Sequence, residues 1–239
     1  MTLWLDHLVV TAATLDEGVR WCVTTLGVIP GPGGKHPLMG THNRLVNIGS
    51  ARFPQAYLEI IAIDPGAPAP PRVRWFGLAA RPVAWPPRLT HLVLRCADIT
   101  TMRATLLAAG QDPGVPTRAS RETPMGRLQW QISIRDDGAV MADGAPPTLI
   151  QWPGPHPTQT LGDHGITLQS LTLSAGAVAL PVTGAALADS VTDSETDGVD
   201  GRVMTAILRG PLGDITLHTD QGNVAAPLSL IPTDDQGLL

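Results

Sequence analysis

Two histidines stand inside nearly identical apolar stretches: His7 in LDHLVV (Leu5 to Val10) and His91 in LTHLVL (Leu89 to Leu94). Two more polar residues interrupt apolar runs, Glu59 in YLEII and Gln151 in LIQW. A carboxylate among aliphatics is costly unless a cation or a basic side chain offsets its charge. Two imidazoles, a carboxylate and an amide oxygen make a plausible N2O2 ligand set for a divalent transition metal (Fe, Ni, Co, Mn or Zn). Such an ion would act as a Lewis acid on a small oxygenated substrate, with Glu59 as ligand or base. An amide in the fourth position, where a carboxylate would neutralise the ion, makes bound water more acidic and weakens metal affinity.

The elements that must bring these residues together are written twice. Seven residues after His7, TLDEGVRWCVTTLG opens at Thr14 with Glu17 completing a capping box and Gly27 as the stop. Seven residues after His91, DITTMRATLLAAG opens at Asp98 as N-cap and ends at Gly110. Strand patterns follow each helix: residues 42–49 and 56–63 in the first half, 127–134 and 148–152 in the second. Alternation along a strand puts His7 and Val9 opposite Leu8 and Val10, and His91, Val93 and Arg95 opposite Leu92, Leu94 and Cys96. The helices need the apolar face, so both histidines are expected on the other one. The chain therefore divides into a first module (1–63), a Pro-rich connector (64–87) with a short helical turn around residues 74–80, a second module (88–157), and a degraded third copy with a tail (158–239). In that third copy Ser170 takes the histidine's slot in LQSLTL, residues 202–219 read as a hairpin, and residues 178–190 stand where a helix belongs. The acidic stretch at 189–201 imitates a calcium loop, but Met204 stands where a bidentate Glu is required.

Composition narrows the function. Hydrophobic residues make up 43% and charged residues 15% of 239, with a net charge of -5, which describes a globular protein with room for a large core. The absence of any Lys/Arg cluster argues against nucleic acid as a partner. No apolar run is long enough to span a bilayer and Asp6 breaks the N-terminal one, so neither a membrane nor a signal peptide is expected, and the cytoplasm is the expected location. Cys22 and Cys96 read as small buried hydrophobes rather than a disulfide.

The two-module pattern, the order His, Glu, His and a fourth polar position, and the phrase GGKHPLMGTHNRL (Gly33 to Leu45) resemble the vicinal oxygen chelate superfamily, specifically its glyoxalase-like members. The resemblance implies an α+β fold of paired βαβββ modules cupped around a metal cavity, with His7, Glu59, His91 and Gln151 at the ligand positions. Many relatives carry Glu where this chain has Gln151, which weakens the case for a glyoxalase I reaction in particular. His36, His42, Asn43 and Arg95 are the candidates for holding substrate; His156, His164 and His218 have no evident partner in the sequence. Isomerase, lyase and ring-cleaving dioxygenase chemistries all suit such a site, since fold does not choose among them. A metal-free protein that sequesters an apolar or aromatic compound is the competing reading, with Trp4, Trp75, Trp85, Trp130 and Trp152 as stacking surfaces. Unpaired strand edges of the incomplete third copy predict pairing with a second subunit.

Overall fold

The computed structural model describes residues 2–80, 85–123, 126–143, 145–173 and 204–219. The readings placed on residues 178–190 and 189–201 lie outside them. The chain runs β1 (Leu3–Thr11), α1 (Leu15–Trp21), β2 (Lys35–His36), β3 (Thr41–Asn47), β4 (Tyr57–Ile63), β5 (Arg88–Cys96), α2 (Ile99–Ala108), β6 (Val115–Thr123), β7 (Gly126–Ile134), β8 (Thr148–Gln151), β9 (Thr167–Leu173), β10 (Met204–Gly210) and β11 (Gly213–His218). Strand, helix and three strands occur twice, and the fold is α+β.

Local chemistry explains where the helices begin. The Thr14 hydroxyl accepts from the Glu17 backbone N–H while the Glu17 carboxylate accepts from that of Thr14, each at 3.2 Å. These two bonds satisfy donors that a bare helix start leaves open. A π-helical turn, Cys22–Leu26, extends α1 and stops at Gly27, whose φ of 70° few other residues adopt readily. Asp98 caps α2 by accepting from the backbone of Thr100 and Thr101.

β1 and β5 pair antiparallel at the centre, and each module builds outward from its first strand to give the order β2-β3-β4-β1-β5-β8-β7-β6. The pairing makes the halves equivalent about the β1/β5 junction. The sheet curls until its terminal strands β2 and β6 approach one another. Its convex face, carrying Leu8, Val10, Leu92, Leu94 and Cys96, packs beneath α1, α2 and the separate sheet β9-β10-β11. Both cysteines are buried there as free thiols. Among the described residues no helix is long and apolar enough to cross a membrane.

The concave face is largely filled. The connector turns Trp75 and Phe76 inward, where they stack at 5.1 Å and join Val9, Ile61, Val93 and Ile150 in a second apolar cluster. Phe76 adopts a φ of 56° to do so. A bulky residue in the left-handed region stores strain of about 1–3 kcal/mol, which burial of the two rings offsets.

Candidate functional site

What the aromatic filling leaves open is a small cavity of about 30 Å³ in the concave face, lined by His7, His36, Asn43, Tyr57, Glu59 and Arg121 with aromatic walls that include Trp130. The floor is a chain of buried polar groups that begins with an irregularity in β1. Leu5 pairs with Leu94 and His7 with Val93, so Asp6 is an extra residue, a β-bulge. The bulge cancels the alternation for one step, and Asp6 and His7 therefore both face away from the convex core. Asp6 is fully buried and accepts three bonds: from His7 Nδ1 at 2.7 Å, Trp152 Nε1 at 2.9 Å and His156 Nε2 at 3.1 Å. The Thr158 backbone N–H donates to His156 Nδ1, which leaves the His156 proton on Nε2 facing Asp6.

Beyond Asp6, His7 Nε2 faces Glu59 Oε2 at 3.5 Å, and its ring stacks on Tyr57 at 4.5 Å. Asn43 Nδ2 donates to Glu59 Oε1 at 2.5 Å, and Asn43 Oδ1 accepts from the Gly34 backbone at 2.8 Å and from Arg121 Nη1 at 3.1 Å. His36 is the cavity's neutral member: its Nδ1 lies 3.1 Å from the Thr41 hydroxyl and its Nε2 3.4 Å from Asn43 Nδ2.

Glycines make room for these contacts. A Cβ on Gly33 would lie 2.0 Å from the Asn43 carbonyl oxygen, and one on Gly34 would lie 2.8 Å from Arg121 Cδ.

Burial and pairing set the charges. Burial opposes the His7 imidazolium, but the bonds to Asp6 and Glu59 outweigh it and push the pKa up to about 9. Burial likewise works against the charged forms of Asp6 and Glu59. The partners win again, His156 and His7 for Asp6 and His7 and Asn43 for Glu59, so both carboxyls titrate below their usual range. Burial alone dominates at His36, which falls to about 4. At neutral pH the floor therefore reads carboxylate, imidazolium, carboxylate, with the Arg121 guanidinium at the rim.

The expected four-ligand set is not assembled. His91 lies on the concave face two rungs from His7, but its Nε2 accepts from the Thr148 backbone at 3.2 Å and contacts the Thr148 hydroxyl at 2.9 Å. Its buried Nδ1 finds no partner, its ring packs on Phe76, and burial, with the His7 charge adding to it, lowers its pKa to about 3. Gln151 faces the opposite way: its Oε1 accepts from the Ile99 N–H at the start of α2, 3.0 Å away. Strand register explains this. Val9 pairs with Glu59, and its counterpart Val93 pairs with Thr148, so Thr148, three residues before Gln151, is the equivalent of Glu59. His7 faces a carboxylate where His91 faces a hydroxyl. Among the described residues no three His, Cys, Asp or Glu side chains are grouped to hold a metal. His7 Nε2 and Glu59 Oε2 are two donors where a divalent site takes three or more, so the donor set does not fit the implied ion.

Of the residues expected to hold substrate, His36 and Asn43 join Glu59 in the cavity. His42 does not line it; lying beside Asn43 in β3, its side chain takes the other face and feels the charges of Asp64, Lys35 and Arg44. Arg95 lies over the Trp4 ring at 5.8 Å, in a different surface recess. Sequence reasoning missed Asp6, Tyr57 and Arg121 and left His156 without a role. Asp6 was hidden by the bulge, and Arg121 by its strand, VPTRASRET, which carries Pro, charges and little apolar alternation.

Residues 5–183 match the family described as glyoxalase-like domain. The chain belongs to that family. This glyoxalase-like protein is similar in structure to a hypothetical protein from Staphylococcus aureus, at 18% sequence identity and a TM-score of 0.51, over 93% of this chain and 88% of that one. Methylmalonyl-CoA epimerase from Mycobacterium tuberculosis is 18% identical, with a TM-score of 0.40 over 66% of this chain and 92% of that one. A Streptomyces coelicolor methylmalonyl-CoA epimerase in complex with 2-nitronate-propionyl-CoA gives 14%, a TM-score of 0.41, and 64% and 100% coverage. No curated protein matches the chain by sequence. The first of these structures supports the glyoxalase-like, vicinal oxygen chelate fold.

Proposed function

We propose that this glyoxalase-like protein is an enzyme that moves a proton on a small oxygenated substrate, at a carbon next to a carbonyl, with Glu59 as the base and His7 as its cationic partner. The observation that carries the reading is the buried chain Asp6, His7, Glu59, Asn43 at the floor of a cavity. Three ionised groups withdrawn from water are expensive to maintain, and clefts where partners perturb titrating groups are where acid–base chemistry is found.

The steps follow from this chain's own groups. Glu59 Oε2 takes the proton and becomes neutral; the negative charge left on the substrate oxygen is stabilised by the His7 imidazolium and the Asn43 amide; Glu59 returns the proton to the neighbouring carbon or the original one. Asp6 does not touch the substrate and instead keeps the His7 ring oriented and protonated. A carboxylate held low by two donors is a weak base, so the reaction suits a proton already acidified by an adjacent carbonyl. That restricts the chemistry to isomerisation, epimerisation or elimination.

The test is solvent exchange. The purified chain is incubated in D2O with a panel of 2-hydroxyketones and 2-hydroxy and 2-oxo acids, and loss of the α-proton signal is followed by NMR. Glu59→Gln is expected to slow exchange by roughly 10²- to 10⁴-fold while its thermal unfolding stays cooperative. A compound that binds but exchanges equally fast with both proteins, or with neither, overturns the reading in favour of sequestration. Repeating the assay after chelation and with added Fe, Ni, Co, Mn or Zn tests the metalloenzyme reading: exchange that requires near-stoichiometric metal, lost in His7→Ala, would restore it.

A further inference from the structure

Arg121 is the guanidinium that lines the cavity without a counter-ion among the described residues. It stands on β6, the last strand of the curled sheet, and reaches across to β3, where Nη1 donates to Asn43 Oδ1. Among the described residues it forms no ion pair, and its buried Nε has no partner. Glu59, the carboxylate whose field reaches it, is already committed to His7 and Asn43. A half-buried guanidinium without a counter-ion is costly, and a structure that makes room for it by means of Gly34 keeps it for something that arrives from outside.

Its place says what arrives. Arg121 lines the inner cavity and also an outer chamber of about 260 Å³, and Leu45 and Pro157 line both, so the two spaces meet at this side chain. The outer chamber carries apolar walls, among them Pro32, Leu45, Leu128, Pro155 and Leu161, and no Asp or Glu. Arg127 is its other cation, but that group already bonds Ser120 and lies 3.9 Å from Glu122. Nη1 is used by Asn43 and the buried Nε has no partner, so the guanidinium keeps donor capacity for an anionic oxygen that enters beside it.

We propose that Arg121 docks the carboxylate of a 2-oxo or 2-hydroxy acid whose proton-bearing carbon next to the carbonyl reaches Glu59 and whose hydrocarbon substituent occupies the outer chamber. This names the substrate class of the site and rests on the proton-transfer reading above only for the role of Glu59. The ligand is amphipathic, and each half has its own compartment: the charge meets the Arg121 guanidinium, and the chain leaves water for the apolar wall.

Isothermal titration of the full chain tests the assignment with 2-oxooctanoate, its uncharged analogue 1-hydroxyoctan-2-one, pyruvate and inorganic phosphate. The wild type is expected to bind 2-oxooctanoate at least tenfold more tightly than the other three. Arg121→Gln should weaken 2-oxooctanoate by roughly 10- to 100-fold and leave 1-hydroxyoctan-2-one unchanged. Arg121→Lys retains the charge and should recover part of the loss, which guards against a folding defect in the Gln variant, and Arg209→Gln, on β10 outside both spaces, should have little effect. Equal affinity of the wild type for the acid and the neutral ketone, no binding of any carboxylate, tighter binding of phosphate, or an Arg121→Gln variant that binds 2-oxooctanoate normally would each overturn it. Glu59→Gln separates the two claims: retained 2-oxooctanoate binding without exchange supports both, retained exchange defeats the proton-transfer reading alone, and lost charge selectivity in the wild type defeats the docking site alone.

Discussion

Replacing Asp6 by Asn removes one negative charge from a place no water reaches and leaves His7, His156 and Trp152 competing for a single amide oxygen. The consequences can be worked from the pairings. His7 rises from an ordinary 6.5 to about 9 when folded, so at 1.36 kcal/mol per unit its protonation contributes about 3 kcal/mol to stability. The folded chain holds that proton between pH 6.5 and 9 while the unfolded chain releases it, so the contribution is complete below pH 6.5 and is lost as pH rises through 9. Other groups act on the acid side. Asp6 and Glu59 titrate below their usual range, and their contribution is lost as pH falls below about 4. His36 and His91, buried and neutral at about 4 and 3, favour the folded state above 6.5 and disfavour it progressively below. The wild type should therefore be most stable near pH 6.5.

In Asp6→Asn the strongest support for the imidazolium is gone while its burial persists, and only Glu59 remains on one side. The loss at pH 6 should be about 3–5 kcal/mol, as for breaking any buried pair from one side. By pH 10 the wild type has also lost its imidazolium, and the gap should narrow by about 2 kcal/mol. Urea denaturation followed by far-UV circular dichroism from pH 5.5 to 10 measures the two curves, and NMR titration of the His7 ring protons reports the pKa directly. Parallel curves with a constant offset, or a His7 resonance that titrates alike in both proteins, would refute the assignment of a buried imidazolium.

Other perturbations are simpler. Gly33→Ala puts a methyl group against the Asn43 carbonyl and must displace the residue that holds both Glu59 and Arg121; binding should weaken more than tenfold with unfolding still cooperative, measured by titration and calorimetry. Gln151→Ala removes one bond to the first turn of α2 and should lower stability by about 1 kcal/mol with ligand affinity unchanged; a loss of bound metal or of exchange in this variant would instead return Gln151 to the site.

The framework was legible because the chain repeats. Aligned histidines, capping residues and apolar faces name two modules, and the structure places Leu8, Val10, Leu92, Leu94 and Cys96 against the helices as alternation requires. The site was legible only in its first module. In Thr148–Gln151 both Leu149 and Ile150 are buried, so the sequence carries no alternation from which to read which face Gln151 takes. Polarity pointed to Gln151, and hydrogen-bond register selects Thr148. The connector was legible only as a connector: seven of the residues between Asp64 and Arg88 are prolines, which mark turns without saying that the turns carry Trp75 and Phe76 into the second apolar cluster.

One inserted residue governs the chemistry. Without the bulge, strict alternation would turn Asp6 toward the convex core whenever His7 faced the cavity, and a carboxylate there would meet only aliphatics. With it, two consecutive residues share a face, and an acid from the same strand fixes the imidazole that the opposing strand's Glu59 then meets. β5 carries the same irregularity at the equivalent place: Val9 pairs with His91 and Val10 with Leu89, which leaves Thr90 as the additional residue, its hydroxyl bonded to the Val9 carbonyl. The repeated strands thus share both the sequence pattern and a bulge directly before the histidine, and differ in the residue that fills it, Asp6 in one and Thr90 in the other. That difference leaves His7 between two carboxylates and ionised, and His91 against a threonine and neutral, so a duplicated chain arrives at a single-sided site.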